Sequence, residues 1–189
     1  MEQTVHIKGT AIKARVDYLR ARFGEEGLAR VMEALRPEHR SHLRDNIIIS
    51  SWYPFSLSED IMACAERILG KDDGSLCREV GVASCRYGFE TVYKEFGTAS
   101  DPGRAIATFS GVLWKNYWDT GHLEARSSEP GHTEIEICDF SVPHPTLCHV
   151  LLGFFETAMK IWGASHVLVA HPTCHGKGAP TCVFAISWD

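Results

Sequence analysis

Apolar residues recur every three or four positions through most of the first 120 residues, and that spacing predicts a run of amphipathic helices. Thr10 is placed to cap the first, with Ile12, Val16, Leu19 and Phe23 on one face and Gly24 as its stop. Leu28, Val31, Met32 and Leu35 repeat the stripe as far as Pro37, which fits the first turn of a short third helix ending near Arg44. The next helix is capped by Ser56 or Ser58, carries Leu57, Ile61, Cys64 or Ala65, and Ile68 inward, and ends at Gly70. A longer one runs from Ser75 to Phe96 with Leu76, Val80, Ala83 or Ser84, Tyr87 and Val92 inward. Gly81 and Gly88 interrupt it, each at about 1 kcal/mol against alanine, so close packing or a groove is expected there. Asp101 and Pro102 open a further helix to about Thr120, with Ile106, Phe109, Leu113 and Tyr117 inward and Gly121 at its end.

After Gly121 the period changes to two. His122 to Ser127 and Thr133 to Asp139 alternate, with Ile135 and Ile137 on one face and Glu134 and Glu136 on the other, and Ser127 to Gly131 reads as the turn between them. Pro143 to Trp162 returns to helical spacing through Leu147, Leu151, Phe154 or Phe155, Ala158 and Ile161. A second hairpin follows, His166 to Ala170, ending at His171 and Pro172, and Val183 to Trp188. Helices, hairpin, helix, hairpin is the order of an α+β fold, a four-stranded antiparallel sheet covered by helices on one face. The short Ile47-Ile48-Ile49 run cannot be classified by period, and Ser50 to Phe55 reads as an extended connection with an aromatic anchor. The chain reads as a single domain, with residues 1–55 an N-terminal helical part and 56–189 the α+β core.

The candidate chemistry lies in the last fifth. Cys148, His171, Cys174 and Cys182 are spaced Cys-x22-His-x2-Cys-x7-Cys, and thiolate with imidazole is the donor set that closes a tetrahedral zinc shell. Cys148 falls in the first turns of the last helix, His171 and Cys182 at facing strand ends, and Cys174 in the loop between, so a helix packed across a hairpin brings them together. The expected cofactor is one structural zinc; the alternative is that these cysteines are small buried hydrophobes. His175 and His149 are the reserve ligands.

Cys174 with Gly176, Cys182 and the strand after it resembles the signature of 4-vinyl-reductase-like domains, among them the sensors of bacterial phenol-responsive transcription activators. That resemblance implies a zinc held by a cysteine of the preceding helix, an acidic residue and two cysteines; His171 falls where those domains carry glutamate. From Ile7-Lys8-Gly9-Thr10 through Ser51-Trp52-Tyr53-Pro54 to the Cys174–Cys182 loop, the chain also resembles a family of about two hundred residues, a single-domain size, expanded in myxobacteria. The element order is also that of haem-based nitric oxide sensors and of a vesicle-tethering subunit family, which the same superfamily resemblance groups together.

Composition narrows the function. A hydrophobic fraction of 44% and a charged fraction of 23% are ordinary for a globular domain. The net charge of −5 offers little drive toward nucleic acid. The basic residues concentrate early, at Arg15, Arg20, Arg22, Arg30, Arg36, Arg40 and Arg44, interspersed with acids as on a solvated helical face. No stretch is long and apolar enough for a membrane span, and the polar start lacks a signal segment, so a cytoplasmic protein with free or metal-bound thiols is expected. There is no nucleophile elbow, phosphate loop or dinucleotide fingerprint, and no enzyme is expected.

Phe109, Trp114, Tyr117, Trp118, Tyr87 and His122 are the candidate lining of a pocket for a small hydrophobic or aromatic molecule, although aromatics at helical spacing more often make core. Trp114 and Trp118 share a face, where an indole N–H could meet a polar ligand. The leading expectation is therefore a zinc-pinned sensory or regulatory domain that acts through a homodimer or a regulatory partner. A ligand-free interaction scaffold is second. A haem or redox sensor with His122, His132 or His144 as axial ligand is third.

Overall fold

The computed structural model describes residues 4–43, 46–142 and 145–189. Its first strand, β1 (His6–Lys8), pairs antiparallel with β2 (Trp52–Pro54), placing Ile7 opposite Tyr53 and Lys8 opposite Trp52. The Lys8 ammonium lies over the Trp52 ring at 4.1 Å, a cation–π contact that ties the two. Between them run α1 (Gly9–Ala34), broken at Gly24 by φ 72° and ψ 179°, and α2 (Pro37–His42), which has Pro37 in its first turn. The expected stop at Gly24 is thus a break between two helical stretches, since glycine alone takes that conformation without strain. Thr10 does not cap the helix; it lies inside it and donates its hydroxyl to the Ile49 carbonyl at 3.0 Å. The expected end near Arg44 lies outside the described residues.

Helix α3 (Phe55–Leu69) buries Leu57, Ile61, Cys64 and Ala65 as its stripe requires, but it starts ahead of Ser56 and Ser58, which therefore do not cap it. Helix α4 (Ser75–Thr91) stops short of Phe96, and a separate 3-10 turn covers Lys94–Phe96. Its buried face is Leu76, Cys77, Val80, Gly81, Cys85, Gly88 and Phe89; Tyr87 and Val92, expected inward, are 58% and 55% exposed. The face turns this way because α6 (Pro145–Ile161) lies against Gly81. A Cβ at Gly81 would stand 1.9 Å from the Val150 carbonyl oxygen, and one at Gly153 would stand 2.1 Å from that of Arg78. Helix α5 (Pro102–Tyr117) is capped by Asp101, whose carboxylate accepts from the Arg104 amide at 3.2 Å.

The four remaining strands are β3 (His122–Glu129), β4 (His132–Cys138), β5 (Leu168–Thr173) and β6 (Cys182–Ser187), ordered β3-β4-β6-β5 and antiparallel throughout. The expected α+β class and the two hairpins are what the chain forms. Strand β5 runs on past His171 and Pro172, where termination was expected. It is an edge strand, and the shift in its register between Ala170 and Thr173 spares Pro172 a ladder hydrogen bond it cannot donate. Ile135 and Ile137 of β4 and Phe184 and Ile186 of β6 face the helices and are fully or almost fully buried. The apolar core is continuous from Val5 to Ile186, centred on Phe109, Trp114, Phe155 and Phe184. No helix among the described residues is long and apolar enough to cross a membrane.

Candidate functional site

Two groups of side chains stand out, and they are separate. The first is a small cavity of about 50 Å³ between α1, α4, α5 and α6, walled by Ala11, Ala14, Leu113, Val150, Leu151 and Phe154 together with Arg15, Ser84, Tyr117 and Trp118. It adjoins a groove of about 410 Å³ between α1 and α4, and Thr10, Ala14, Ser84 and Tyr87 are walls of both. The small residues Ala14, Ala21, Ala83 and Ser84 leave this space between the two helices. Tyr87, exposed and therefore misplaced in the expected core, belongs to the mouth of the groove.

Of the six expected pocket residues, Tyr87, Tyr117 and Trp118 line the cavity and the other three do not. Phe109 is buried among Phe89, Tyr93, Phe96, Phe154 and Trp162, with ring centroids 5.0 to 6.2 Å away, and is core. Trp114 stacks on Trp118 at 4.3 Å and donates its indole N–H to the Thr120 carbonyl at 2.7 Å, so it has nothing to offer a ligand. His122 is half-exposed at the start of β3, 3.8 Å from both Glu124 and Asp139. By contrast the Trp118 indole N–H is buried without a hydrogen-bond partner.

Arg15 was not expected here. It is only 5% exposed, its Nη1 donates to the Ala11 carbonyl at 2.9 Å, and its Nε has no partner. Burial pushes its guanidinium below the usual range, opposed chiefly by Glu59. The signal was in the sequence: Arg15 falls three residues after Ile12 and four before Leu19, inside the apolar stripe rather than on the solvated face assigned to the early arginines. Burial also pushes the Tyr117 hydroxyl up, with Tyr93 adding to it, so Tyr117 faces the cavity as a neutral phenol.

The second group is the quartet from the last fifth. The ligand atoms of Cys148 on α6, His171 on β5, Cys174 in the loop and Cys182 on β6 all lie within 4.8 Å of one another, which is the convergence expected from the spacing. His171 stacks on Phe184 at 4.6 Å, and its buried Nε2 has no hydrogen-bond partner. The sulfurs of Cys148 and Cys182 are 3.7 Å apart, and the His175 amide donates to Cys182 at 3.3 Å. Sharing a proton with Cys148, ahead of His171 and that amide, holds the Cys182 thiol below its usual range. The shared bond and then burial push Cys148 up. Four soft donors so placed could hold a metal ion. Neither reserve ligand joins them: His175 turns to the Pro180 carbonyl at 3.0 Å, and His149 packs where a Cβ on Gly74 would stand.

The fold is that of H-NOX domains, by name haem nitric oxide/oxygen binding. An unliganded Fe(II) H-NOX variant from K. algicida matches over 96% of each chain with a TM-score of 0.73 and 13% identity. An H-NOX protein from S. oneidensis in the Fe(II)NO state matches over 96% of this chain and 99% of its own, with a TM-score of 0.72 and 16% identity. A third structure, from work on haem distortion in the H-NOX family, matches over 96% and 95% with a TM-score of 0.72 and 17% identity. No protein-family model and no curated protein matches the chain.

These findings correct two expectations. The neighbours are H-NOX domains and no family model matches, so the assignment to 4-vinyl-reductase-like domains and to the myxobacterial family does not stand. The structural zinc inferred with it is withdrawn as the cofactor, because the metal and cofactor that the neighbours' titles name are iron and haem.

Histidine, cysteine, methionine and tyrosine are the side chains that hold haem iron. No described histidine lines the cavity. Of the three expected axial ligands, His122 and His132 stand on β3 and β4 away from it, and His144 lies outside the described residues. At about 50 Å³ the cavity itself has room for a small group and not for a macrocycle. The described residues do not fit a haem.

Proposed function

We propose that this chain is a non-catalytic sensory domain that uses the H-NOX fold to bind a small apolar molecule in place of haem, between α1, α4, α5 and α6. The observation that carries this is the cavity at the junction of those four helices, continuous with a largely apolar groove open to the outside. A molecule seated there touches all four helices, so binding is coupled to how they pack, which is what a sensor requires.

Octan-1-ol is a suitable probe. At about a hundred times its Kd a ligand adds ~2.7 kcal/mol to stability, which for a chain of this size raises the melting temperature by ~5 to 10 °C. That rise is expected in the wild type and not in Ala14→Leu, whose added side chain fills the wall shared by groove and cavity. No rise in the wild type, or an equal rise in the variant, would refute the reading.

We further propose that Cys148, His171, Cys174 and Cys182 form a site for a thiophilic ion, separate from this cavity. The unpartnered His171 Nε2 and the mutual approach of the four donors support it. Elemental analysis should find an equivalent of metal per chain that Cys174→Ser loses; equal metal content in the two proteins would refute it.

A further inference from the structure

The cavity's polar groups say what kind of molecule it takes, if the reading above of the cavity as the ligand site is right. Its apolar walls are Ala11, Leu113, Val150, Leu151 and Phe154. Two residues of its lining each carry a buried donor without a hydrogen-bond partner: Arg15 at Nε and Trp118 at its indole N–H. Both are donors only, because neither a guanidinium nor an indole can accept a hydrogen bond. One carries a positive charge, and none of the described carboxylates stands in an ion pair with it. Glu59, the acid acting on it most strongly, is itself engaged by the Thr146 hydroxyl at 2.9 Å.

A buried cation held by one backbone carbonyl is costly, and the cost is relieved by an anion brought to it. Water would satisfy a donor but not the charge. A neutral apolar guest would satisfy neither. The cavity at the Arg15 end has room for a small head and little more, whereas the groove beyond, along Ala14, Ala83, Ser84 and Tyr87, has room for an elongated body.

We propose that the site selects an apolar monocarboxylate, its carboxylate taken by Arg15 and Trp118 and its hydrocarbon or aromatic body laid between α1 and α4. Arg15 is then the specificity-determining residue and Trp118 its second donor. Trp118 lines the cavity and stacks on Trp114, whose own N–H is fixed to Thr120, so of the two indoles Trp118 is the one with a donor left for a ligand.

Isothermal titration of octanoate and octan-1-ol, repeated with benzoate and benzyl alcohol, tests this on the full chain. In the wild type each acid should bind at least about tenfold more tightly than its alcohol, the effect of a charge-assisted hydrogen bond. Arg15→Met should erase the preference while still binding the alcohol. Trp118→Phe, which keeps the ring and loses the donor, should reduce the preference without erasing it, and this milder variant covers the case in which Arg15→Met fails to fold. Acids and alcohols binding equally would overturn the inference and leave the cavity standing as a site. Binding of neither would overturn both.

Discussion

Gly81→Ala should lower the stability of this protein by about 3 kcal/mol or more, although it adds a single methyl group to a helix and alanine is the better helix former. The reason is the crossing of α4 and α6. A Cβ at Gly81 would meet the Val150 carbonyl oxygen at 1.9 Å, and one at Gly153 would meet the Arg78 carbonyl oxygen at 2.1 Å. Each helix therefore lays its glycine on the other's backbone. Neither obstacle is the end of a flexible side chain, so the clash is relieved only by moving one helix off the other. That movement would loosen Cys85 and Phe89 on α4 and Leu151 and Phe154 on α6, all buried. For a chain of this length the loss corresponds to a melting temperature ~6 to 12 °C lower, read by calorimetry. Gly111→Ala is the control: it lies in α5 with no atom within 4 Å of the added carbon, and it should leave stability equal or raise it by up to ~1 kcal/mol. An unchanged melting temperature in Gly81→Ala would show that the two helices do not touch there.

The second large effect is an absence. The titles of structures with this fold name iron and haem, yet this chain should form no one-to-one haem complex. An iron ligand would have to come from the cavity wall, where the described residues provide no histidine. Tyr87 and Tyr117 are the described wall residues of a haem-ligating type: burial keeps the Tyr117 hydroxyl protonated, and Tyr87, 58% exposed, also lines the outer groove. Cys85, buried nearby on α4, is likewise kept a thiol by burial, pushed well above its usual range. The centre of the fold is filled with the protein's own rings, Phe89, Tyr93, Phe96, Phe154 and Trp162 around Phe109, and Trp114 against Trp118. A porphyrin would have to displace these, at a cost no new iron bond in sight offsets.

How far the sequence could be read depended on segment length and on whether one face dominates. The alternation of Ile135 and Ile137 with Glu134 and Glu136 is strict, and β4 forms as expected. The stripe of α3 is equally plain, because one side of that helix meets the core and the other does not. Strands β1 and β2 have three residues each, too few to show a period, and they exist by pairing with each other across the first two helices. The buried face of α4 was misjudged because periodicity follows large apolar side chains, whereas this helix packs through Gly81, which contributes none. Within the candidate sites, the convergence of Cys148, His171, Cys174 and Cys182 was legible from residue type and strand placement. Arg15 was not found because a charged residue was assigned to solvent by type, against its own position in the apolar stripe of α1. The 4-vinyl-reductase-like resemblance failed for a related reason: its signature residues lie in one short cysteine loop, whereas the H-NOX likeness lies in the arrangement of elements over 96% of the chain.

The most direct test of this account is a haem titration of the purified full chain, followed by visible absorption. Haem added in steps should give only the spectrum of free or loosely associated haem, with no saturation at one equivalent, and octanoate should bind the same protein. A sharp Soret band that saturates at one haem per chain, and that nitric oxide then shifts in the Fe(II) form, would contradict the account. It would place this chain with its structural neighbours in ligand as well as in fold.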